Sequence, residues 1–424
     1  MKFQCGPAST LRNLPRGIVP IVLYEQPDRA STGSAGTAVI PQCRRLGLAP
    51  ATRAWDFLSL AISAVTADAG QSRGGSADGW TRELELTVAV CDPVFWNLQA
   101  KTINSILSFL TGDIWHVDFS TGGIVCPPPR KRPTRPEDAV TLLSGGLDSL
   151  IGTLDRTAEG ERLIAVSQVS AGDKAGQASL ARQIGEGLFH VQLNHNARPP
   201  DAVDRSQRAR SIAFIAFGVL AGTALDRYHS GDTITLYVPE NGFISLNIPL
   251  TPARLGSLST RTTHPCYIRQ LQALLDSAGL RVRLVNPYQF KTKGEMLREC
   301  KAQAFLRQQA ASTTSCGRFA RNGFQHCGRC LPCLIRRAAF HRWGQPDQTQ
   351  YRYANLSIRN ANHKNFIDVR AAGIAVEQVH QLGIERWIGG ALNTAQLGNI
   401  SEYRDVSQRG LDELGRFLTS ARAL

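Results

Sequence analysis

The sequence predicts an α/β protein. A doubly wound parallel sheet with a four-cysteine metal site spans residues 139–345, between an N-terminal α+β domain and a helical C-terminal extension. Three observations carry that prediction. Short apolar runs alternate with helical stretches after residue 138. A break rich in proline and positive charge, Cys126-Pro-Pro-Pro-Arg-Lys-Arg-Pro-Thr-Arg-Pro-Glu-Asp138, separates this region from what precedes it. Four of the ten cysteines crowd into Cys316–Cys333.

Residues 1–125 hold strand-like runs at Ile18–Tyr24 and Glu83–Val90 and helix-like stretches at Ala54–Ala67 and Phe95–Leu110. A Gly/Ser-rich loop (Ala69–Gly79) and an alternating run (Ile114–Phe119) complete a small α+β domain with no chemical motif. The break at 126–138 sustains neither helix nor central strand and reads as a linker. Beyond it, Ala139–Leu143, Leu163–Val169, His190–Leu193, Thr233–Val238 and Val282–Val285 have the continuous apolar character of buried parallel strands. Asp148–Thr157, Ala175–Gly187, Ser206–Leu225, Ile268–Ser277 and Gly294–Gln308 are the intervening helices. Ligands of such a sheet sit beyond the carboxyl ends of its strands, so the loops after Leu143, Val169, Leu193 and Val238 should line the site. Residues 346–424 read as a polar, helical extension without a functional assignment.

The chain has 424 residues and a formal net charge of +14, which suits a nucleotide, a nucleic acid or an acidic partner surface. Of its 48 basic residues only eight are lysine, and arginine favours bidentate contact with phosphate or carboxylate. Met1–Pro7 has no apolar run behind a basic end, and the longest apolar stretch, Ser211–Leu225, is too short to span a bilayer. A cytoplasmic protein without a membrane partner is expected.

Ser144-Gly145-Gly146-Leu147-Asp148-Ser149 falls directly between a strand and a helix, where helix-terminal N–H groups are free to hold an anion. Two glycines let the backbone approach a phosphate, and the serine hydroxyls flank it. Asp148 is out of place in an anion pocket unless Mg²⁺ bridges it to phosphate or it holds the loop in shape. Further along, Cys316, Cys327, Cys330 and Cys333 form Cys-x₁₀-Cys-x₂-Cys-x₂-Cys, which fills a tetrahedral structural Zn²⁺ site with protein ligands; an iron–sulfur cluster is the rival. Cys5, Cys43, Cys91, Cys126, Cys266 and Cys300 are scattered and read as core residues or inert thiols.

Ser-Gly-Gly-x-Asp-Ser resembles the PP-loop of enzymes that split ATP between its α- and β-phosphates, and the chain lacks the Gly-x-x-x-x-Gly-Lys-[Ser/Thr] pattern of γ-phosphate-transferring NTPases. Together with Cys327-Gly-Arg-Cys330-Leu-Pro-Cys333-Leu-Ile-Arg336, it resembles QueC, the 7-cyano-7-deazaguanine synthase family, over about residues 139–340. Gly176-Gln177 and Lys293-Gly294-Glu295-Met296 match further family motifs in the same order. The biosynthetic members carry Pro-Gly-Arg-Asn where this chain has Pro239-Glu240-Asn241-Gly242-Phe243. That departure, Ser259–Pro265, the Arg208-Ala209-Arg210-Ser211 helix start and the extra terminal regions are similar to the QueC-like branch of bacterial anti-phage defence, of which QatC is an example.

The resemblance implies a PP-loop, HUP-like Rossmannoid fold and an ATP-dependent adenylating ligase. It would activate a 7-carboxy-7-deazaguanine-like acid for amide formation with an amine, expected to be one on a partner protein. ATP and Mg²⁺ are then expected at Ser144–Ser149 with Gln177, Arg210 and Ser211, and Zn²⁺ at the four cysteines. Glu240, Asn241, Gly242, Phe243, Arg261 and Thr263 are the expected substrate contacts, Glu240 and Asn241 reading the guanidine-like edge of the base. Asp148, Ser149, Lys293, Arg261 and His264 are the expected catalytic groups, Lys293 and Arg261 holding carboxylate or leaving phosphate and His264 serving as base toward the amine. The same residues also suit a PP-loop enzyme that modifies RNA or DNA, or a non-catalytic nucleotide sensor.

Overall fold

Strands β1 (Lys2–Gly6), β2 (Ile18–Leu23) and β3 (Gly33–Ala35) open the computed structural model. They are followed by helices α1 (Val39–Leu46) and α2 (Thr52–Gly70), strand β4 (Glu83–Ala89), helices α3 (Pro93–Leu98) and α4 (Ala100–Thr111), and strand β5 (Ile114–Ser120). The structure describes residues 1–129, 133–170, 172–201, 208–248, 250, 261–392 and 397–424. Residues 130–132 of the proline-rich break, Ser206 at the start of an expected helix, and Ser259 and Thr260 lie outside the described residues.

The five strands pair in the order β3-β2-β1-β4-β5, all parallel, so the N-terminal region is α/β where α+β was expected. The reason is topological. β1 opens the chain and β3 is only Gly-Ser-Ala, so neither shows a hydrophobic pattern, yet both extend the sheet. Between β3 and β4 and between β4 and β5 lie helices, and a helical crossover returns a strand parallel. One face of this sheet is open: Glu83, His116 and Asp118 point to solvent while Leu84, Trp115 and Val117 are buried, which is the alternation seen at Ile114–Phe119.

The second sheet is built from β6 (Ala139–Leu142), β7 (Leu163–Gln168), β8 (Phe189–Leu193), β9 (Ile234–Tyr237) and β10 (Val282–Val285). Helices α5 (Leu147–Ala158) and α6 (Lys174–Gln183) follow β6 and β7; α7 (Arg210–Gly222) and α8 (Asp226–His229) follow β8; α9 (Gly242–Ser245) and α10 (Pro265–Ser277) follow β9. Its order is β10-β9-β6-β7-β8, again all parallel. Counted from its own first strand, this repeats the order of the N-terminal sheet, although the sequence contains no repeat. β6 and β7 are buried on both faces, as their unbroken apolar runs require.

Helices α2 and α4 of the first unit pack on α7 and α10 of the second, so the layers run sheet, helix, helix, sheet around one continuous core. This is why α2 and α7 are buried around almost their whole circumference. A buried ionic cluster joins the units. Arg82, wholly buried, pairs with Asp68 and Asp113, and the same Asp68 accepts from the amide of Ala209 at the start of α7. Arg208 reaches back to the carbonyl of Thr111 at 2.7 Å.

After β10 the chain is helical: α11 (Lys293–Glu299), α12 (Gln303–Gln309), α13 (Leu331–Trp343), α14 (Ile367–Leu382), α15 (Ile384–Leu392) and α16 (Ile400–Ser420). The single helix expected over Gly294–Gln308 is two, because Asp155 of α5 captures the amide of Lys301 at the break. Helices α13, α14 and α16 share a separate apolar core, into which Phe243 projects. Among the described residues no helix is long and apolar enough to cross a membrane.

α16 docks where Gly410 meets the Phe243 ring; a Cβ there would lie 2.3 Å from the ring. In an exposed helix Gly→Ala gains about 1 kcal/mol from propensity. At Gly410 the clash should reverse the sign, so Gly410→Ala should destabilise by about 1–3 kcal/mol, read from the shift in urea midpoint. A stabilised variant would contradict this docking.

Candidate active site

The hexapeptide Ser144–Ser149 leaves the carboxyl end of β6 and opens α5. Gly145 takes φ +88°, a left-handed turn that glycine adopts without strain, and Gly146 caps the helix. The amides of Leu147, Asp148 and Ser149 therefore begin α5 with no intrahelical acceptor. The two serines hold the bend rather than flank a ligand: Ser144 Oγ and Ser149 Oγ lie 3.0 Å apart, and Ser149 donates to the Gly146 carbonyl at 2.9 Å. Gln177 Nε2 donates to the Ser144 carbonyl (3.0 Å) and the Gln168 carbonyl (3.2 Å), pinning the loop to β7.

The bend faces a cavity of about 250 Å³ between the ends of β6 and β9, the point where strand order reverses. Its walls are Ser144, Gly146–Ser149, Pro239, Glu240, Ile244, Lys293, Thr314, Ser315, Pro332 and Ile335. Pro239 can close on α5 because Gly152 has no side chain; a Cβ there would lie 2.4 Å from the proline ring.

At the floor, buried Asp148 pairs with Lys293, the first residue of α11. Asn241 Nδ2 donates to the other Asp148 oxygen at 2.7 Å and to Glu240 Oε1 at 3.0 Å. Burial alone would push the Asp148 carboxyl up, but the Lys293 charge and hydrogen bonds from Glu240, Lys293 and Asn241 hold it down, at about 2. Glu240 goes the other way: enclosure and the neighbouring Asp148 charge raise it well above the ordinary glutamate range. One carboxylate and one carboxylic acid thus share the cavity wall. Asp148, the carboxyl held low, is the oxygen ligand that would hold Mg²⁺.

The opposite wall hangs from the cysteines. The sulfurs of Cys316, Cys327, Cys330 and Cys333 all lie within 4.8 Å of one another and are buried. Backbone amides of Cys327 and Arg318 donate to Cys316 Sγ at 3.4 Å, and that of Cys330 to Cys327 Sγ at 3.3 Å. Four enclosed sulfurs, with amides stabilising their charge, fit a tetrahedral metal such as Zn²⁺ with no open position. His326, beside Cys327, accepts from the amide of Ser315 at 3.1 Å. Wholly buried Arg336 donates to the Thr313 and Ser315 hydroxyls at 2.8 and 3.0 Å. Thr314 N then donates to the Gly145 carbonyl at 2.9 Å, so the metal knuckle holds a roof over the phosphate loop.

Residues 262–344, which carry Lys293, the four cysteines and Arg336, match the family model described as "Queuosine biosynthesis protein QueC". Over this stretch the chain is similar to QueC proteins. It is 29% identical over 162 residues to a 7-cyano-7-deazaguanine synthase of Paracoccus denitrificans (32% of this chain, 67% of the relative). Over 235 residues it is 28% identical to the Cupriavidus necator protein of that name (51% of this chain, 98% of the relative). A 70-residue stretch is 40% identical to the Rhizobium leguminosarum protein of that name (16% of this chain, 27% of the relative). No solved structure matches the chain.

Of the residues the sequence singled out, the QueC-like fold brings Ser144, Gly146–Ser149, Glu240 and Lys293 to one cavity and places others elsewhere. Asn241 is wholly buried; besides holding Asp148 it caps α9 through the amide of Ile244. Gly242 abuts the Gln289 backbone, and Phe243 packs on α16. His264 is the N-cap of α10: its Nδ1 accepts from the amide of Cys266 at 3.2 Å, and burial, with Arg261 nearby, lowers it to about 4. Arg261 donates to the Phe109 carbonyl at 3.0 Å, fastening α10 to α4. Arg210 bonds Ser170, and Ser211 is buried within α7. Thr263 lines a different hollow of about 370 Å³ with Arg269, Arg283 and Tyr403. The wall residues Pro239, Ile244, Thr314, Ser315, Pro332 and Ile335 carry no motif of their own; only the Cys-x-x-Arg tail hinted at the roof.

Removing one member of a buried ion pair typically costs about 3–5 kcal/mol. Lys293→Met should therefore lose about that much at neutral pH by urea denaturation. Because folding depresses Asp148, its share of stability is present above the usual aspartate range and lost as pH falls toward about 2; in Lys293→Met that loss should begin at higher pH. An unchanged midpoint and pH profile would refute the pair. Elemental analysis should find one tightly held metal ion per chain, and Cys333→Ser should abolish it and lower the melting temperature; a metal-free wild type that is fully stable would refute the knuckle's role.

Proposed function

We propose that this QueC-like protein adenylates the carboxylate of a 7-carboxy-7-deazaguanine-like acid with ATP and transfers the acyl group to an amine of a partner protein, in the cytoplasm, as part of bacterial anti-phage defence. The observation that carries the reading is the bend at Ser144–Ser149, which presents three helix-opening amides to a cavity floored by the Asp148–Lys293 pair.

The β- and γ-phosphates are held by the amides of Leu147–Ser149, with α5 adding its positive end. A substrate carboxylate oxygen attacks the α-phosphorus, the bond to pyrophosphate breaks, and Lys293 offsets the charge gathering on that leaving group. The amine then attacks the acyl carbon, loses a proton, and AMP departs as the amide forms. Asp148 is the residue that would hold Mg²⁺, which would supply charge neutralisation for the phosphates. Zn²⁺ at the four cysteines keeps the 313–315 roof in place. Glu240, on the cavity wall, is the side chain that meets the base.

A macromolecular amine is favoured over ammonia by what surrounds the catalytic unit. Pro239–Phe243 departs from the biosynthetic segment, and about half of this chain has no counterpart in the Cupriavidus necator relative. The N-terminal parallel sheet and the C-terminal helices flank the site-bearing sheet, and these extra terminal regions are what resembles the QatC-like defence branch.

Incubation with ATP, Mg²⁺ and the deazaguanine acid should release AMP and pyrophosphate, and Lys293→Met should slow this by about two orders of magnitude. Intact-mass spectrometry of co-encoded proteins should show the added deazaguanine acyl mass. Folded, metal-loaded protein that forms no AMP with any such acid would overturn the adenylation reading; AMP without protein labelling would overturn the choice of acceptor.

A further inference from the structure

Lys293 stands at the first position of α11, so its ammonium points where the start of that helix points. The start is held from two sides. Within the helix, Thr292 and Glu295 form a capping box: the Glu295 amide donates to Thr292 Oγ1 at 3.1 Å, and the Thr292 amide to Glu295 Oε2 at 2.9 Å. From outside comes Glu413 of α16, 8% exposed and 120 residues further along the chain than Lys293. Thr292 Oγ1 donates to Glu413 Oε1 at 2.5 Å and the Gly294 amide to Glu413 Oε2 at 3.3 Å, so one carboxylate grips the residues on both sides of Lys293. Arg409, one turn earlier on α16, donates to Glu295 Oε1 and to the Phe290 carbonyl, each at 2.7 Å.

The fit is close. A Cβ on Gly294 would lie 2.7 Å from both Glu413 oxygens, so the glycine is what admits the carboxylate. A buried carboxylate is costly unless hydrogen-bonded, and these partners, with Arg342 at 3.9 Å, supply that compensation. Docking on the surface of α11 would need only apolar contact. This contact instead spends a buried charge on the one turn that carries the cavity's lysine.

We infer that Glu413 is a positioning residue for Lys293, and that α16 is thereby a working part of the ATP site. The inference rests on Lys293 acting as the cation of the proposed adenylation, but its geometric content does not depend on turnover. Residues after 345 then act by holding the α11 turn in register with Asp148.

The test is limiting acylation of lysines read by peptide mass spectrometry, with exposed Lys2 and Lys364 as internal references, alongside kcat and KM for ATP. Glu413→Ala should raise Lys293 acylation roughly tenfold while the references stay constant. Glu413→Gln, which keeps an oxygen for Thr292, should remain near wild type. Arg404→Ala, which removes exposed pairs with Glu385 and Asp405 on the same helix's surface, should leave Lys293 protected. In turnover, Glu413→Ala should lower kcat more than it raises KM for ATP. If Glu413→Ala does not fold, Gly294→Ala decides, since its methyl displaces the carboxylate while sparing the capping box. Unchanged Lys293 acylation in the folded variant, or a rise shared equally by the reference lysines, would overturn the inference. A wild type that makes no AMP but shows the predicted labelling would sink the proposed reaction and leave the positioning intact.

Discussion

The arrangement of this molecule turns on one buried ion pair, Asp148 with Lys293. Asp148 begins α5 and Lys293 begins α11, so their contact ties the two helices together beneath the phosphate bend. A carboxylate buried this deeply persists only if compensated, and three donors meet it: Lys293, the Asn241 amide group and Glu240. They come from two segments, the loop after β9 and the first turn of α11. The pair therefore determines where the β9 loop, the α11 turn and the PP-loop stand relative to one another, and the cavity is the space left between them.

Two sheets of the same strand order flank one core, and the second carries a cavity at its reversal point. In the second sheet, the loops after β6 and β9 are kept apart by the floor pair and by a roof hung from the cysteines. In the first, the equivalent ends after β1 and β4 close on each other: a side chain on Gly6 would strike Thr10 and Ala89. The same topology thus serves as a scaffold on one side and a site on the other. Which it becomes depends on the loops and not on the sheet.

What could be read from the sequence is what is local. Buried parallel strands betray themselves as apolar runs, the bend as two glycines between strand and helix, the knuckle as closely spaced thiols. The short β3 and the opening β1 carry no such pattern, and without them the N-terminal strands do not reveal their parallel pairing. Side-chain roles were less legible because they depend on distant partners. His264 resembled a base, but a histidine followed by proline at a helix start is also a cap, and Phe109, far away in sequence, buries it. Asn241 resembled a base-reading amide, but Asp148 occupies it. Arg336 ends a recognisable motif, but Glu413 sits in an unremarkable stretch, and only folding shows what it holds.

The central claim is that amides of Leu147–Ser149, backed by Lys293, hold the pyrophosphate portion of ATP. The most direct measurement is a crystal structure of the metal-loaded protein with an ATP analogue that cannot be cleaved between its α- and β-phosphates. The account predicts the β- and γ-phosphate oxygens within hydrogen-bonding distance of those amides and of Lys293, with the α-phosphorus open toward the Glu240 wall. A nucleotide bound elsewhere, or phosphates turned away from the bend toward solvent, would contradict it.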